Sequence, residues 1–257
     1  MRKIGDRILQ GYSVLLYLFL YAPIVIMVFF SFNDSRLLAV WRGFSFRWYE
    51  MLFADPTVWT ALYNSIWVAL LTTIVSMVLG TMTAFVMIRY SFRGKSILDS
   101  SLYFPVVIPE ITEALSLLLF YVFTGIPLGG LTVAIGHIAF AISYATIVIR
   151  ARLVGFDRSV EEAAKSLGAN ELRTFIHVTL PLILPGVIAG GLLAFTVSYD
   201  DFIKTAFTAG PGFQTLPLKI YAMASRGGVS PQLNALATVT LVVSLALAVV
   251  RLRLSKA

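Results

Sequence analysis

Six runs of apolar residues, each long enough to cross a bilayer, recur along this chain of 257 residues. They lie at about 14–32, 66–88, 100–123, 131–149, 182–199 and 235–250. Hydrocarbon about 30 Å thick takes roughly 17–25 helical residues to cross, and a spanning backbone must satisfy its own N–H and C=O groups. Composition closes the alternative of a soluble domain. Hydrophobic residues make up 58% of the chain and charged ones 13%, with a mean hydropathy of +0.86. A soluble fold of this size cannot hide that much apolar surface behind so few charges. The expected fold is therefore all-α, with six transmembrane helices in a single domain over residues 1–257.

The charges between the runs set the orientation. With the N-terminus inside, 14 of the 20 Lys and Arg residues fall on inner segments and 6 on outer ones, as the positive-inside rule requires. Both termini are then cytoplasmic. The net charge of +7 is accounted for by topology and does not argue for nucleic acid. The first run follows Arg2, Lys3 and Arg7, but SFNDSR offers no small-residue cleavage site, so it reads as a retained span rather than a signal peptide.

Several chemistries are excluded. The chain has no cysteine, hence no disulfide, thiolate nucleophile or Cys-ligated metal. No GxxxxGK[ST] loop occurs, so this chain does not hydrolyse ATP by that route, and energy must come from a partner or a gradient. No nucleophile–base–orienter set or metal-ligand cluster is visible, and no catalytic or metal residues are expected. His137 and His177 lie far apart, and His137 is expected to be a packed or hydrogen-bonded residue.

The most polar long stretch is Asp157–Pro181, DRSVEEAAKSLGANELRTFIHVTLP. Ser159 and Glu162 have capping-box spacing. Val160, Ala163, Ala164 and Leu167 fall on one side of the helix that would follow. Gly168 stands where a left-handed C-cap belongs. Asn170 can cap a second helix, which Pro181 is expected to limit. A helix–turn–helix over 150–181 is predicted between the fourth and fifth spans.

That stretch resembles the cytoplasmic loop of ABC-importer permeases. Their pattern is E-A-A, three residues, Gly, nine residues, Ile, one residue, Leu-Pro; here it reads Glu162-Ala163-Ala164, Gly168, Val178, Leu180-Pro181. Val178 replaces the usual Ile. The resemblance extends from about Tyr21-Ala22-Pro23 to Asn234–Thr238 and is closest to the C-type permeases of spermidine/putrescine importers. It implies a type I importer permease fold and a coupling loop that carries the motion of an ATP-hydrolysing subunit. Glu161, Glu162, Ala163, Ala164, Gly168, Glu171, Leu180 and Pro181 would serve that coupling. It also implies a homologous permease partner in a heterodimer, two ATPase subunits holding ATP and Mg, and a periplasmic binding protein. The setting would be a bacterial inner membrane.

The acids near the spans point to cargo. Glu110 and Glu113 share a face of the third span, which Pro105 and Pro109 should kink. A carboxylate at that depth costs about 2.5–3.5 kcal/mol and marks a path for a substrate or ion by default. No Lys or Arg lies inside an expected span, so an internal partner is not anticipated. The fifth span ends Ser198-Tyr199-Asp200-Asp201, which resembles the Ser-x-Asp-Asp segment of polyamine permeases; Trp48 lies in a segment that is similar to theirs after the first span. The resemblance assigns Trp48, Glu110, Ser198, Asp200 and Asp201 to the substrate path. Tyr199 and Glu113 are further candidates. Spaced carboxylates and aromatic faces suit a flexible chain of ammonium groups. Importers of another small solute, such as an amino acid, an opine-like compound or iron, are the nearest alternative. An ion-driven carrier using Glu110 and Glu113 as a relay is a more distant one.

Overall fold

The computed structural model describes residues 2–35, 40–227 and 230–254. Two parts of the sequence reading, the outer-loop residues 36–39 and the basic Lys256, lie outside them. Among the described residues every regular element is a helix, apart from one isolated bridge between Asn33 and Phe44.

In chain order the helices are α1 (Arg2–Phe30), α2 (Arg47–Ala54), α3 (Pro56–Arg89), α4 (Lys95–Ser101), α5 (Phe104–Val107), α6 (Glu110–Thr124), α7 (Gly130–Val154) and α8 (Ser159–Ser166). They are followed by α9 (Glu171–Tyr199), α10 (Ile203–Thr208), α11 (Leu216–Gly227) and α12 (Pro231–Leu254). Four segments are long and apolar enough to cross a membrane: Leu9–Phe30, Pro56–Arg89, Gly130–Val154 and Glu171–Tyr199. The broken pair Lys95–Val107 and Glu110–Thr124, bent by 109°, makes up to five. The apolar part of α12, Pro231–Ala246, is shorter.

The chain divides into two compact units, Met1–Trp59 with Lys219–Ser244, and Thr60–Leu218 with Leu245–Ala257. In the first, the loop after α1 is held by one buried amide. Asn33 Nδ2 donates to the Val40 carbonyl, and its Oδ1 accepts from the Ser35 and Arg42 amides. Phe32, Phe44, Phe46 and Tyr49 cluster beside it. The start of α3 lies well upstream of the expected second span. Asp55 accepts from the Thr57 amide at 2.8 Å, so Asp55-Pro56 forms an N-cap followed by proline in the first turn. The Thr57 hydroxyl also donates to Asp55, at 2.7 Å, and this bond, with the one from the amide, holds the Asp55 carboxyl below its ordinary range.

The second unit is built around α7. Small residues let its neighbours approach: a Cβ on Gly80 of α3 would come within 3.0 Å of Ala145 Cβ, and one on Gly190 of α9 within 3.2 Å of the Ala145 carbonyl oxygen. Ala84, Ala145, Ile149, Leu153, Ile183 and Val187 fill the seam between α3, α7 and α9. A second cluster of Val68, Val133, Ala134 and Ala209 closes the opposite end of α3 and α7.

Two local expectations need correction. Ser159 does not cap α8; Asp157 accepts from the Ser159 amide at 2.9 Å instead, which also holds the Asp157 carboxyl below its ordinary range. Pro181 does not limit the second helix of the loop. α9 runs through it, and the turn Phe175–Thr179 just before it is a π-helix. Proline cannot donate to the carbonyl four residues back, and its ring crowds that carbonyl. A wider turn relieves both.

Candidate functional site

The expected third span is broken at Ile108 and Pro109. Ile108 and Pro109 are extended, with ψ of 136° and 130°. Pro109 biases its predecessor away from the helical region and cannot donate itself. The chain therefore leaves α5 at a sharp bend, and α6 starts with Glu110 and Glu113 in its first turn, where carboxylates complement the helix dipole. At the other end of the site, α9 stops at Tyr199 and α10 resumes at Ile203, so Asp200 and Asp201 sit in the interruption. Interrupted helices of this kind put polar backbone and side chains beside a cavity.

A cavity of about 590 Å³ lies between these two breaks. Its lining includes Glu110, Asp200, Asp201 and Lys204, together with the rings of Phe140 and Tyr144 from α7. Asp200 is exposed, whereas Asp201 is 5% exposed and its Oδ2 has no hydrogen-bond partner among the described residues.

Lys204 corrects the sequence reading. An internal cation was not anticipated for the acids of the third span, yet Lys204 Nζ donates to Glu110 Oε1 at 2.9 Å and lies 3.2 Å from Glu113 Oε2. It also stands 4.0 Å from the centroid of Phe140. The lysine is 4% exposed, on the first turn of α10. Lys204 lies outside the expected spans and 94 residues from Glu110 in sequence, so no local pattern links them. The signal available was chemical: two acids in an apolar run require a counter-charge, and Lys204 follows Asp201 by three positions.

Ser198 belongs to a different arrangement. Its hydroxyl lies 2.8 Å from His137 Nδ1, and His137 Nε2 lies 3.2 Å from Asp201 Oδ1 and 3.1 Å from the Thr205 hydroxyl. The Thr205 amide also donates to Asp201. This is the order of a nucleophile, a base and an orienter, which sequence reading did not find. His137, Ser198 and Asp201 are each 5% exposed or less, so no substrate carbonyl reaches the serine. The network fastens α9 and α10 to α7. Tyr199 is buried and stacked on Phe195, 5.7 Å between centroids. Trp48 is in the first unit, buried, its indole N–H donating to the Asn33 carbonyl at 2.6 Å. Of the expected path residues the structure thus gathers Glu110, Glu113, Asp200 and Asp201 in one place.

The polar loop forms a second site. Gly168 has φ +89°, its amide donates to the Lys165 carbonyl and the Ala169 amide to the Ala164 carbonyl, the paired bonds of a Schellman cap. Asn170 Oδ1 accepts from the Arg173 amide at 2.8 Å. The two glutamates of α8 point apart. Glu161 is buried, 2.6 Å from Arg89 at the end of α3, and it accepts from the Thr179 hydroxyl. Glu162 is exposed, as are Val160 and Leu167, the latter at 90%. Glu171 faces Lys165 at 2.6 Å in the open. The loop therefore has an inner face tied to two long helices and an outer face with uncovered apolar side chains.

Residues 76–256 match the family of binding-protein-dependent transport system inner membrane components. The chain is 40% identical to the spermidine/putrescine transport system permease protein PotC of Haemophilus influenzae, over 93% of each chain. It is 41% identical to the putrescine transport system permease protein PotI of Escherichia coli K12, over 87% of this chain and 82% of that one. Among solved structures, a bacterial ABC transporter involved in import of the acidic polysaccharide alginate superposes with a TM-score of 0.79 at 15% identity, over 99% of this chain and 96% of that one. The chain belongs to the family of inner-membrane permease components of binding-protein-dependent transport systems. Both of these curated relatives, at about 40% identity, are permeases of polyamine transport systems.

Proposed function

We propose that this chain is a permease subunit of an ATP-driven importer that moves polyamines from periplasm to cytoplasm by alternating access. The observation that carries the cargo is the cavity, where Glu110, Asp200 and Asp201 share one lining with the aromatic residues Phe140 and Tyr144. Polyamines are ammonium groups separated by three or four methylenes, so they need separated negative charges and apolar or aromatic surface between them. The alginate importer has the same fold and an acidic cargo, so fold does not choose the sign of the substrate; the acids in this cavity do.

On this reading the chain crosses the membrane six times, the broken α5–α6 segment and α12 each supplying one crossing, with both termini cytoplasmic. The 150–181 loop docks on an ATPase subunit. Its exposed Leu167, Val160 and Glu162 form the contact, and Glu161 passes the motion inward. ATP and Mg reside on that partner, a second permease completes the pathway, and a periplasmic binding protein supplies the cargo. Chemistry on the substrate is not part of the role.

The test is uptake of labelled putrescine and spermidine by transporter-deficient cells expressing the chain with its partner subunits. Uptake should fall at least tenfold with Glu162→Ala while the chain remains in the membrane, and also with Glu110→Gln. An assembled complex that moves neither polyamine overturns the cargo.

A further inference from the structure

Glu110, Glu113 and Phe140 form a complete receptor for a primary ammonium, and that receptor is filled by the chain itself. Lys204 Nζ meets Glu110 at 2.9 Å, Glu113 at 3.2 Å and the Phe140 ring at 4.0 Å. Two carboxylates and an aromatic face are what a desolvated alkylammonium requires. A lysine side chain is a primary ammonium on four methylenes, the same group as one arm of putrescine. We propose that Lys204 is a tethered stand-in for the substrate: it holds the ammonium subsite while the path is empty, and an arriving polyamine ammonium displaces it. This rests on the polyamine reading of the cavity.

Three features support exchange over a permanent ion pair. Glu110 is 46% exposed and lines the cavity, so an incoming cation can reach it without unfolding anything. Lys204 stands on α10, a six-residue helix next to the interruption at Asp200–Phe202, on a flexible stem. Asp201 Oδ2, in the cavity wall and without a partner among the described residues, offers the displaced lysine an acceptor. The physical need is also plain. Two carboxylates left bare in a low-dielectric site are costly, and a site that bound polyamine without competition would release it slowly. A subsite open about one-tenth of the time weakens apparent affinity about tenfold, which favours passage over capture.

The experiment uses the chain assembled with its partner subunits. Lys204→Met keeps the packing and removes the ammonium; putrescine binding by the assembled complex without its binding protein should tighten about tenfold and the maximal rate of uptake should fall, while Lys204→Arg keeps an affinity near wild type. In Lys204→Ala, n-butylammonium should raise Tm by several degrees, with no such shift in the wild type or with sodium. A Lys204→Met complex with unchanged putrescine affinity, or a butylammonium shift equal in wild type and Lys204→Ala, overturns the inference and leaves the polyamine reading standing if uptake persists. A butylammonium shift confined to Lys204→Ala in a complex that moves no putrescine supports the ammonium subsite and removes the polyamine reading. Should Lys204→Ala fail to assemble, the putrescine affinity of Lys204→Met decides alone.

Discussion

At the scale of single residues, neighbours in sequence divide their work by direction. Glu161 and Glu162 are adjacent, yet one is bonded to Arg89 and Thr179 and the other faces outward. Replacing Glu161 by Ala strands a mostly buried guanidinium and costs about 2 kcal/mol, read as a lower Tm of the purified complex; Glu162→Ala leaves Tm unchanged and acts on coupling alone. His137→Ala removes the shared partner of Ser198, Asp201 and Thr205 and costs about 2–3 kcal/mol, again seen in thermal unfolding. The exposed Lys165–Glu171 pair behaves differently. Its hydrogen bond raises the Lys165 pKa above the ordinary 10.5. A raised lysine contributes stability that is present below its unfolded value and lost only as pH rises through the folded one. That contribution is constant between pH 5 and 9, and an exposed pair contributes little, so Glu171→Gln lowers Tm only slightly and by the same amount across that range; a large loss of uptake in that variant reports coupling.

Helix ends and breaks explain which elements could be read from sequence. Gly168 and Asn170 announce their caps because one residue and its own backbone decide the outcome. Asp55-Pro56 carries an equally local start signal for α3, but it sits in a polar, aromatic stretch that reads as loop, so hydropathy masked it. The behaviour of Pro181 was not legible, since whether a proline ends a helix or is absorbed by a wider turn depends on the packing around it. Nor was the pairing of Lys204 with Glu110, because a contact across 94 residues has no local signature. The α7–α9 seam provides a test at this scale. Gly190→Val drives a side chain into Ala145 and Ile149, atoms already within 3.2 Å of an added Cβ. It should cost about 1–3 kcal/mol through overpacking, measured against Gly190→Ala, which costs less.

For the whole molecule, the apolar runs and the pattern of the 150–181 loop were enough to place the chain in its family, because bilayer thickness and a long polar motif both leave extended marks on sequence. The absence of cysteine makes the proposed orientation simple to check. Leu167→Cys should react with a membrane-impermeant thiol reagent only in inside-out vesicles, and Ile126→Cys only in right-side-out ones; the reverse pattern inverts the topology. The continuous run of α9, its π turn included, has a mechanical meaning. Its 29 residues carry the loop at one end and root Asp200 at the other, a rod about 44 Å long at 1.5 Å per residue. Tilted about 5° around its loop end, such a lever moves its far tip by about 4 Å, more than the reach of a hydrogen bond. Glu110 hangs from a different strut, so a small rotation at the base suffices to change the spacing between the two acids at the tip.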